Sequence, residues 1–201
     1  MSDCPNLTEL DLPALRLLSG GTLMSVCNSV TELTFPCLEI IDTKNSTVRS
    51  VVASNCANLS LIDLPCLKIA NTDRARTVFV EGVSAQHIVV NIPRGEEIAA
   101  SITGSKTDIC EFRFGMAISN AWLQVRQGAL LRVGIGAGAV TSMDTSLGGT
   151  LWDPDSLREF IANLGDNTGG DTKQLKIGAA NIAALTVEDI AVATSKNYTI
   201  S

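Results

Sequence analysis

Three stretches of the chain share one pattern of apolar and polar positions. In the frame C-x-[NS]-[LV]-[TS]-x-[LI]-x-[LF]-P-x-L-x-[LI], apolar residues alternate with polar ones before a proline and return after it. Such alternation predicts a short β-strand that buries one side. Proline then ends the strand, because it has no N–H to donate to a ladder. The three copies begin at Cys4, Cys27 and Cys56.

The spacing of the copies indicates an internal repeat. Their prolines, Pro13, Pro36 and Pro65, are 23 and 29 residues apart. One copy alone cannot bury its apolar side, whereas copies stacked about 4.8 Å apart bury all but the end ones. We therefore predict a β-rich repeat solenoid of the leucine-rich-repeat type.

Further strands are predicted outside the frame. The segments between the copies are expected to form strands on another side of each unit: 22–26, 47–52 and 77–80. From Thr77 onward the frame is lost, but strand-like pieces recur near 78–80, 87–92, 97–102, 110–114, 121–126 and 130–135. Alternate pieces lie roughly 22 residues apart, so we expect two strands in each unit.

The composition changes after Gly134. Residues 134–150 are rich in Gly, Ser and Thr, which predicts a loop. The stretch WDPDSLREFIANLGD then predicts a helix, with Asp153 as its cap, Pro154 at its first position and Gly165 at its stop. The apolar face of that helix consists of Leu157, Phe160, Ile161 and Leu164.

The last part of the chain predicts a cap for the stack. We expect a strand over 174–178, a helix in which Thr186 and Asp189 form a capping box, and a final strand from Tyr198. The chain is thus expected to have two regions. Residues 1–150 form the repeat units, with the best repeats over 4–70, and residues 151–201 form a helix–strand–helix–strand cap.

The frame C-x-N-L-T-x-L-x-L-P-x-L resembles the BspA-like (TpLRR) leucine-rich repeats of bacterial cell-surface proteins. The resemblance covers residues 4–70, and residues 71–150 depart from the frame. The stretch LKIGAANIAALTVEDIAVATSKNYTIS is similar to C-terminal segments that follow such repeats, including those of phage-encoded proteins. The resemblance implies a solenoid that adheres to a host cell, a matrix or another microbe, and it carries over no catalytic residue.

Composition and charge narrow the class of function. The net charge of −6, without a cluster of Lys or Arg, argues against a nucleic-acid partner. No stretch reaches the ~18 apolar residues of a transmembrane helix. The start MSDCPNLTEL lacks the basic and apolar regions of a signal peptide. We expect a location outside the cell, at a cell surface or on a virion, without membrane insertion.

The six cysteines fit the repeat better than they fit a metal site. Cys4, Cys27 and Cys56 occupy one frame position and Cys37 and Cys66 another, so each set is expected to form a buried column of free thiols. Disulfides are an alternative, because the count is even. Zinc would require closely spaced cysteine pairs, which the sequence lacks.

No other motif in the sequence identifies a catalytic, metal-binding or cofactor-binding site. His87 is the only histidine and is expected to be an ordinary surface or half-buried residue. The run GIGAGA at 134–139 fits a dinucleotide fingerprint, but no helical pattern follows it, so a turn is expected. Asp166, Asn167 and Asp171 lack the spacing of a calcium loop. The sequence therefore assigns no catalytic residue, metal or cofactor, and leaves the binding residues open.

The leading prediction is a non-enzymatic recognition or adhesion module of a bacterial cell surface. Its ligand would be a protein or glycan on a host or neighbouring cell, bound along an extended solenoid surface. One alternative is a structural or receptor-binding component of a phage tail or fibre. Another is a polysaccharide-active enzyme, which would need a groove of acidic, arginine and aromatic side chains. Aromatic residues make up only 4% of the chain, so few side chains could provide the aromatic part of such a groove.

The first repeat predicts an assembly surface. A full repeat begins at Cys4, so Leu7, Leu10 and Leu12 would have no unit on one side. Uncovered strand edges and apolar surface favour association. We expect this end to be covered by a second copy, a partner subunit or upstream sequence.

Overall fold

The computed structural model describes residues 2–42, 50–71, 77–103, 106–125, 128–146 and 149–201. In these ranges the chain forms a β-rich fold with few helices. The elements in chain order are β1 (Leu17–Leu18), β2 (Gly21–Ser25), β3 (Glu32–Thr34), β4 (Ile40–Asp42), β5 (Ser50–Ser54), β6 (Leu61–Asp63), β7 (Ile69–Asn71), β8 (Thr77–Glu81), β9 (His87–Ile92), β10 (Glu97–Thr103), β11 (Ile109–Phe114), β12 (Asn120–Val125), β13 (Leu130–Gly134), β14 (Ser142–Asp144), β15 (Leu151–Trp152), α1 (Pro154–Asn163), β16 (Lys173–Lys176), α2 (Ala179–Ile182), α3 (Val187–Ser195) and β17 (Tyr198–Ile200).

Two parallel sheets hold the strands of the described part. Sheet A has eleven strands, with β1-β4-β7-β10-β12-β14-β16-β17 in order and β2, β5 and β8 joined to it beside β10. Sheet B has six strands in the order β3-β6-β9-β11-β13-β15. The chain alternates between the sheets, so each repeating unit adds strands to both. This arrangement is compatible with a β-rich solenoid.

The core lies between the sheets, because alternate residues of each strand point inward. In sheet B, β9 buries Ile88, Val90 and Ile92, and in sheet A, β10 buries Ile98, Ala100 and Ile102. These side chains belong to one apolar cluster that takes residues from every described unit. In sheet B the other alternate residues form the outer face, whereas in sheet A several of them, including Ala99 and Ser101, are buried as well.

The second and third copies of the frame form as predicted. Strands β3 and β6 end two residues before Pro36 and Pro65. Leu33, Phe35 and Leu38 in the second copy are at most 1% exposed. The alternation therefore does mark strands with one buried side.

The strand predicted in the first copy, at Leu10 and Leu12, does not form. Instead, an opening of about 450 Å³ separates residues 8–11 from residues 31–36. Glu9 and Glu32 both line this opening and occupy the same frame position. Like charges on neighbouring strands oppose pairing, which is one physical reason for the gap.

The repeat length changes along the chain because more residues separate β4 from β5, and β7 from β8, than separate β1 from β2. Glu32 pairs with Leu61, 29 residues on, whereas Glu111 pairs with Arg132, 21 residues on. Strands β7 and β8 both pair with β10, one at each of its ends. The segments predicted as strands on another side of each unit form β2, β5 and β8, which lie in sheet A, opposite the frame strands β3 and β6 of sheet B. Sheet A also contains β4 and β7. Residues 47–49 of one such segment lie outside the described residues.

The later strands were predicted closely, with one error. Strands β9 to β13 lie where the periodic pattern placed them. The stretch 134–150, predicted as a loop, contains β14, which pairs with both β12 and β16. Met143 in that strand is only 2% exposed, so one buried side chain anchors an otherwise polar segment. Residues 147–148 lie outside the described residues.

The C-terminal helices have the predicted caps. The Asp153 carboxylate accepts the Ser156 N–H at 3.0 Å, and Thr186 and Asp189 form a capping box. Leu157, Phe160 and Ile161 are buried, as their spacing predicted. Gly165 is explained by close approach, because a Cβ there would lie 2.2 Å from the Gly138 carbonyl oxygen. The short helix α2 had not been predicted.

The side chain of Asn181, 4% exposed, joins α2 to the last strand of sheet B. Its Oδ1 accepts the Trp152 N–H at 2.9 Å. Its Nδ2 donates to the carbonyl oxygens of Thr150, at 2.9 Å, and Ile177, at 2.7 Å. One buried amide thus satisfies three backbone groups, which would otherwise be costly to bury.

Candidate functional site

A groove of about 390 Å³ crosses five neighbouring strands on the outer face of sheet A. Small-molecule sites have volumes of about 300–1,000 Å³, so the groove lies in the lower part of that range. Strands β7, β10, β12, β14 and β16 form it. We call it the sheet A groove; its lining residues are Ala70, Glu97, Ile98, Ala99, Asn120, Ala121, Trp122, Ser142, Met143, Asp144, Gln174 and Lys176.

The parallel register arranges the outward side chains of the groove in two rows. The first row runs Glu97, Asn120, Ser142, and the main chain of Gln174 continues it with an N–H bond to the Ser142 hydroxyl. The second row runs Ala99, Trp122, Asp144 and Lys176. Between the rows, Ile98, Ala121 and Met143 point into the core. Each row crosses the strands, so the groove runs along the direction of stacking.

The rim of the groove is polar and accessible. Glu97, Asn120, Gln174 and Lys176 are exposed, and Ser142 and Asp144 are half-buried. Asp144 accepts hydrogen bonds from the N–H and the hydroxyl of Ser146, at 3.2 and 2.8 Å. Two carboxylates against one ammonium give the groove an acidic balance, in keeping with the net charge of −6 for the chain.

Trp122 forms an unusual part of the groove. It occupies an outward register position, yet it is only 8% exposed. Its indole N–H has no hydrogen-bond partner among the described residues. By contrast, the N–H of Trp152 donates to the Thr145 hydroxyl at 2.9 Å. A buried donor without an acceptor costs about 1–3 kcal/mol, so Trp122 is a position where an added acceptor would be favourable.

A second polar cluster lies on the outer face of sheet B. His87 Nε2 lies 2.9 Å from Glu111 Oε2, and Arg113 Nε donates to Glu111 Oε1. Burial raises the pKa of Glu111, but hydrogen bonds from Arg113 and His87 outweigh it, and the net pKa is lowered. His87 is half-buried, as expected. Because the Glu111 carboxylate already pairs with Arg113 and is hydrogen-bonded to His87, the cluster offers little to a ligand.

The cysteines follow the repeat, although not all of them are buried. The thiols of Cys4, Cys27 and Cys56 each donate to the carbonyl two residues before, at 3.3, 3.3 and 3.4 Å. Cys27 and Cys56 are buried and Cys4 is half-buried. The prediction of full burial was wrong for Cys4, which lies in the partly exposed first unit.

The second set of cysteines is also less buried than predicted. Cys37 and Cys66 are half-buried, because they follow the frame prolines in turns between the two sheets. All six cysteines are free in the structure. Burial raises the pKa of the Cys56 thiol, and burial raises that of Cys110 to about 12. These thiols are therefore poor nucleophiles.

The remaining candidate motifs form turns and loops. The run at 134–139 ends β13 and leads through a turn to β14. The Asp166 carboxylate accepts the Thr168 N–H at 2.9 Å, which holds a surface loop. Within the described ranges, no group of three or more His, Cys, Asp and Glu side chains could hold a metal ion. No described helix has the length and apolar character to cross a membrane.

The chain was also compared with known proteins. No protein-family model, curated protein or solved structure matches the chain. The sequence had left the binding residues open, and the groove was missed because its residues lie on five strands that are separate in the chain. The one available signal was the spacing of alternate strands, which places Ala99 beside Trp122 and Glu97 beside Asn120.

Proposed function

We propose that the chain is a non-enzymatic recognition module of a bacterial cell surface, built as a BspA-like leucine-rich-repeat solenoid. It binds a protein or glycan of a host or neighbouring cell through the sheet A groove. The observation that carries the proposal is the groove itself, where exposed amide, carboxylate and ammonium groups surround a buried tryptophan. A repeat scaffold supports it, because stacked strands present a rigid, extended surface.

The acidic residues of the groove are placed to accept hydrogen bonds from a ligand. Glu97 and Asp144 lie two strands apart and in different rows, so they reach different parts of the groove. Asp144 is also held by Ser146, which fixes it as a hydrogen-bond acceptor at the groove wall.

A paired substitution experiment tests the proposal. The double variant Gln174→Ala/Lys176→Ala removes an exposed amide and an exposed ammonium from β16. The matched control, Gln86→Ala/Lys106→Ala, removes the same two groups from exposed turns before β9 and β11. Fluorescently labelled chain is incubated with intact bacterial and epithelial cells, and bound label is measured by flow cytometry.

The groove variant should lose most of the cell binding of the parent chain, about tenfold, because several rim contacts are removed. The control variant should bind within about twofold of the parent. Equal binding by the parent and both variants would show that the groove is not the recognition surface. Absence of binding by the parent to every cell type would count against a surface-recognition role.

A further inference from the structure

We infer that the ligand of the sheet A groove is a neutral oligosaccharide that lies along the stacking direction, across the strands. The inference rests on the proposed function and names the chemical class of its ligand. Three features of the groove carry it: the shape set by the strand register, the balance of charge and the unpartnered indole of Trp122.

The shape suits a linear chain of small rings. Strand spacing is about 4.8 Å, so the five strands that line the groove span roughly 19 Å. The two rows of outward side chains form its long walls. Between the rows, the floor is the strand backbone at Ile98, Ala121 and Met143, whose side chains point into the core. A short oligosaccharide has this extended form, with polar edges and less polar ring faces.

The groups on the rim match hydroxyls. The amides of Asn120 and Gln174 can each donate and accept, the carboxylates of Glu97 and Asp144 accept, and Lys176 donates. Neighbouring hydroxyls of a sugar need donors and acceptors side by side. The acidic balance of the groove disfavours sugars that carry carboxylate or sulfate groups. Neutral sugars are therefore favoured over acidic ones.

A protein ligand fits the groove less well. Every strand along it is already paired on both sides, so a peptide cannot be added as a further strand there. The exposed groove residues, Glu97, Asn120, Gln174 and Lys176, are all polar. Protein interfaces usually rely on exposed aromatic, aliphatic or arginine anchors in pockets, and the groove rim offers none of these among its described residues.

Trp122 supplies the second, independent observation. It lines the groove, is more than nine-tenths buried and has an N–H without an acceptor among the residues described. Its neighbour in the second row is the small Ala99, so the indole meets a short side chain on that strand. An oligosaccharide in the groove lies against this residue, and its hydroxyl oxygens are acceptors of the kind that the indole N–H lacks among the described residues. Ligand binding should therefore change the environment of this indole.

The direct test is titration of the whole chain with defined oligosaccharides. The neutral probes are cellohexaose, mannohexaose and xylohexaose, and the acidic probe is hexagalacturonate. We expect at least one neutral probe to bind and to shift the tryptophan emission. Binding should weaken about tenfold in Gln174→Ala/Lys176→Ala and stay within about twofold in Gln86→Ala/Lys106→Ala. The emission shift should be lost in Trp122→Phe.

A parallel treatment of the target cells separates this inference from the proposed function. Periodate cleaves the vicinal diols of sugars, so it should abolish groove-dependent cell binding, whereas protease treatment should leave it. Groove-dependent binding that survives periodate but not protease would overturn the inference and keep the proposed function. Tighter binding of hexagalacturonate than of every neutral probe, or failure of all neutral probes to bind, would also overturn it. If cell binding does not depend on the groove, the proposed function itself fails.

Discussion

Asn181→Leu should destabilise the C-terminal part of the chain strongly, although the substitution keeps the side-chain volume similar. The buried amide makes three hydrogen bonds, to the Trp152 N–H and to the carbonyl oxygens of Thr150 and Ile177. Leucine can make none of them. The three backbone groups would then stay buried without this partner.

The magnitude follows from the three bonds. A buried hydrogen bond contributes about 0.5–1.5 kcal/mol, and an orphaned group costs about 1–3 kcal/mol. Three bonds together give a loss of roughly 3 kcal/mol, a large share of the ~5–15 kcal/mol that stabilises a typical domain. For a chain of this size, such a loss lowers Tm by roughly 6–12 °C.

The assay is urea unfolding followed by far-UV circular dichroism, with amide hydrogen exchange as a local readout. Stacked units can unfold in steps, so exchange at residues 150–152 reports the loss directly. The matched control is Asn6→Leu, since Asn6 is exposed. A loss below about 1 kcal/mol, with unchanged exchange near Trp152, would refute the role assigned to Asn181.

Three further predictions follow from other contacts. Thiol titration of the native chain should find Cys27, Cys56 and Cys110 slow to react until denaturant is added, because they are buried, and Cys4, Cys37 and Cys66 faster; mass spectrometry that showed three intact disulfides would contradict this. The Ser156 N–H and Arg132 hold the pKa of Asp153 below its usual range, so its contribution to stability is full above about pH 4 and is lost as pH falls through that lower folded pKa. The free energy of unfolding, measured with urea between about pH 5 and pH 3, should fall less steeply with decreasing pH in Asp153→Asn than in the parent chain. Equal slopes in the two chains would count against the assignment. Leu17 is 52% exposed and its neighbours in the first unit are only partly buried, so light scattering should show self-association that Leu17→Lys weakens; a strictly monomeric chain at high concentration would argue against it.

The parts of the fold that could be predicted are those set by local chemistry. The alternation around Leu33 and Phe35 marked a strand, and Asp153 with Pro154 marked a helix start, because strands and caps depend on neighbours in the chain. Strand β14 was missed because its central residue, Met143, is its only buried one, and the segment forms a strand by pairing with β12 and β16 on either side. A local pattern cannot show which strands a polar segment will join.

The groove could not be predicted for a related reason. Its polar side chains look like ordinary solvent-exposed residues, and only the register places Asn120 beside Glu97 and Asp144 beside Trp122. The spacing of alternate strand-like segments did predict how many residues separate two paired strands. The burial of Trp122 at an outward position could not be predicted, because it depends on packing that no periodicity encodes.

The split strands of sheet A imply that the stack tolerates insertions at one lateral position. Two residues separate β1 from β2, seven separate β4 from β5, five separate β7 from β8, and β10 runs without a break. The paired residues on both flanks nevertheless keep one register throughout. Lengthening a connection costs little, since loop-closure entropy grows slowly with length. The strand pairing therefore fixes the stack whatever the number of residues between the paired flanks, so the repeat needs a constant register and not a constant length.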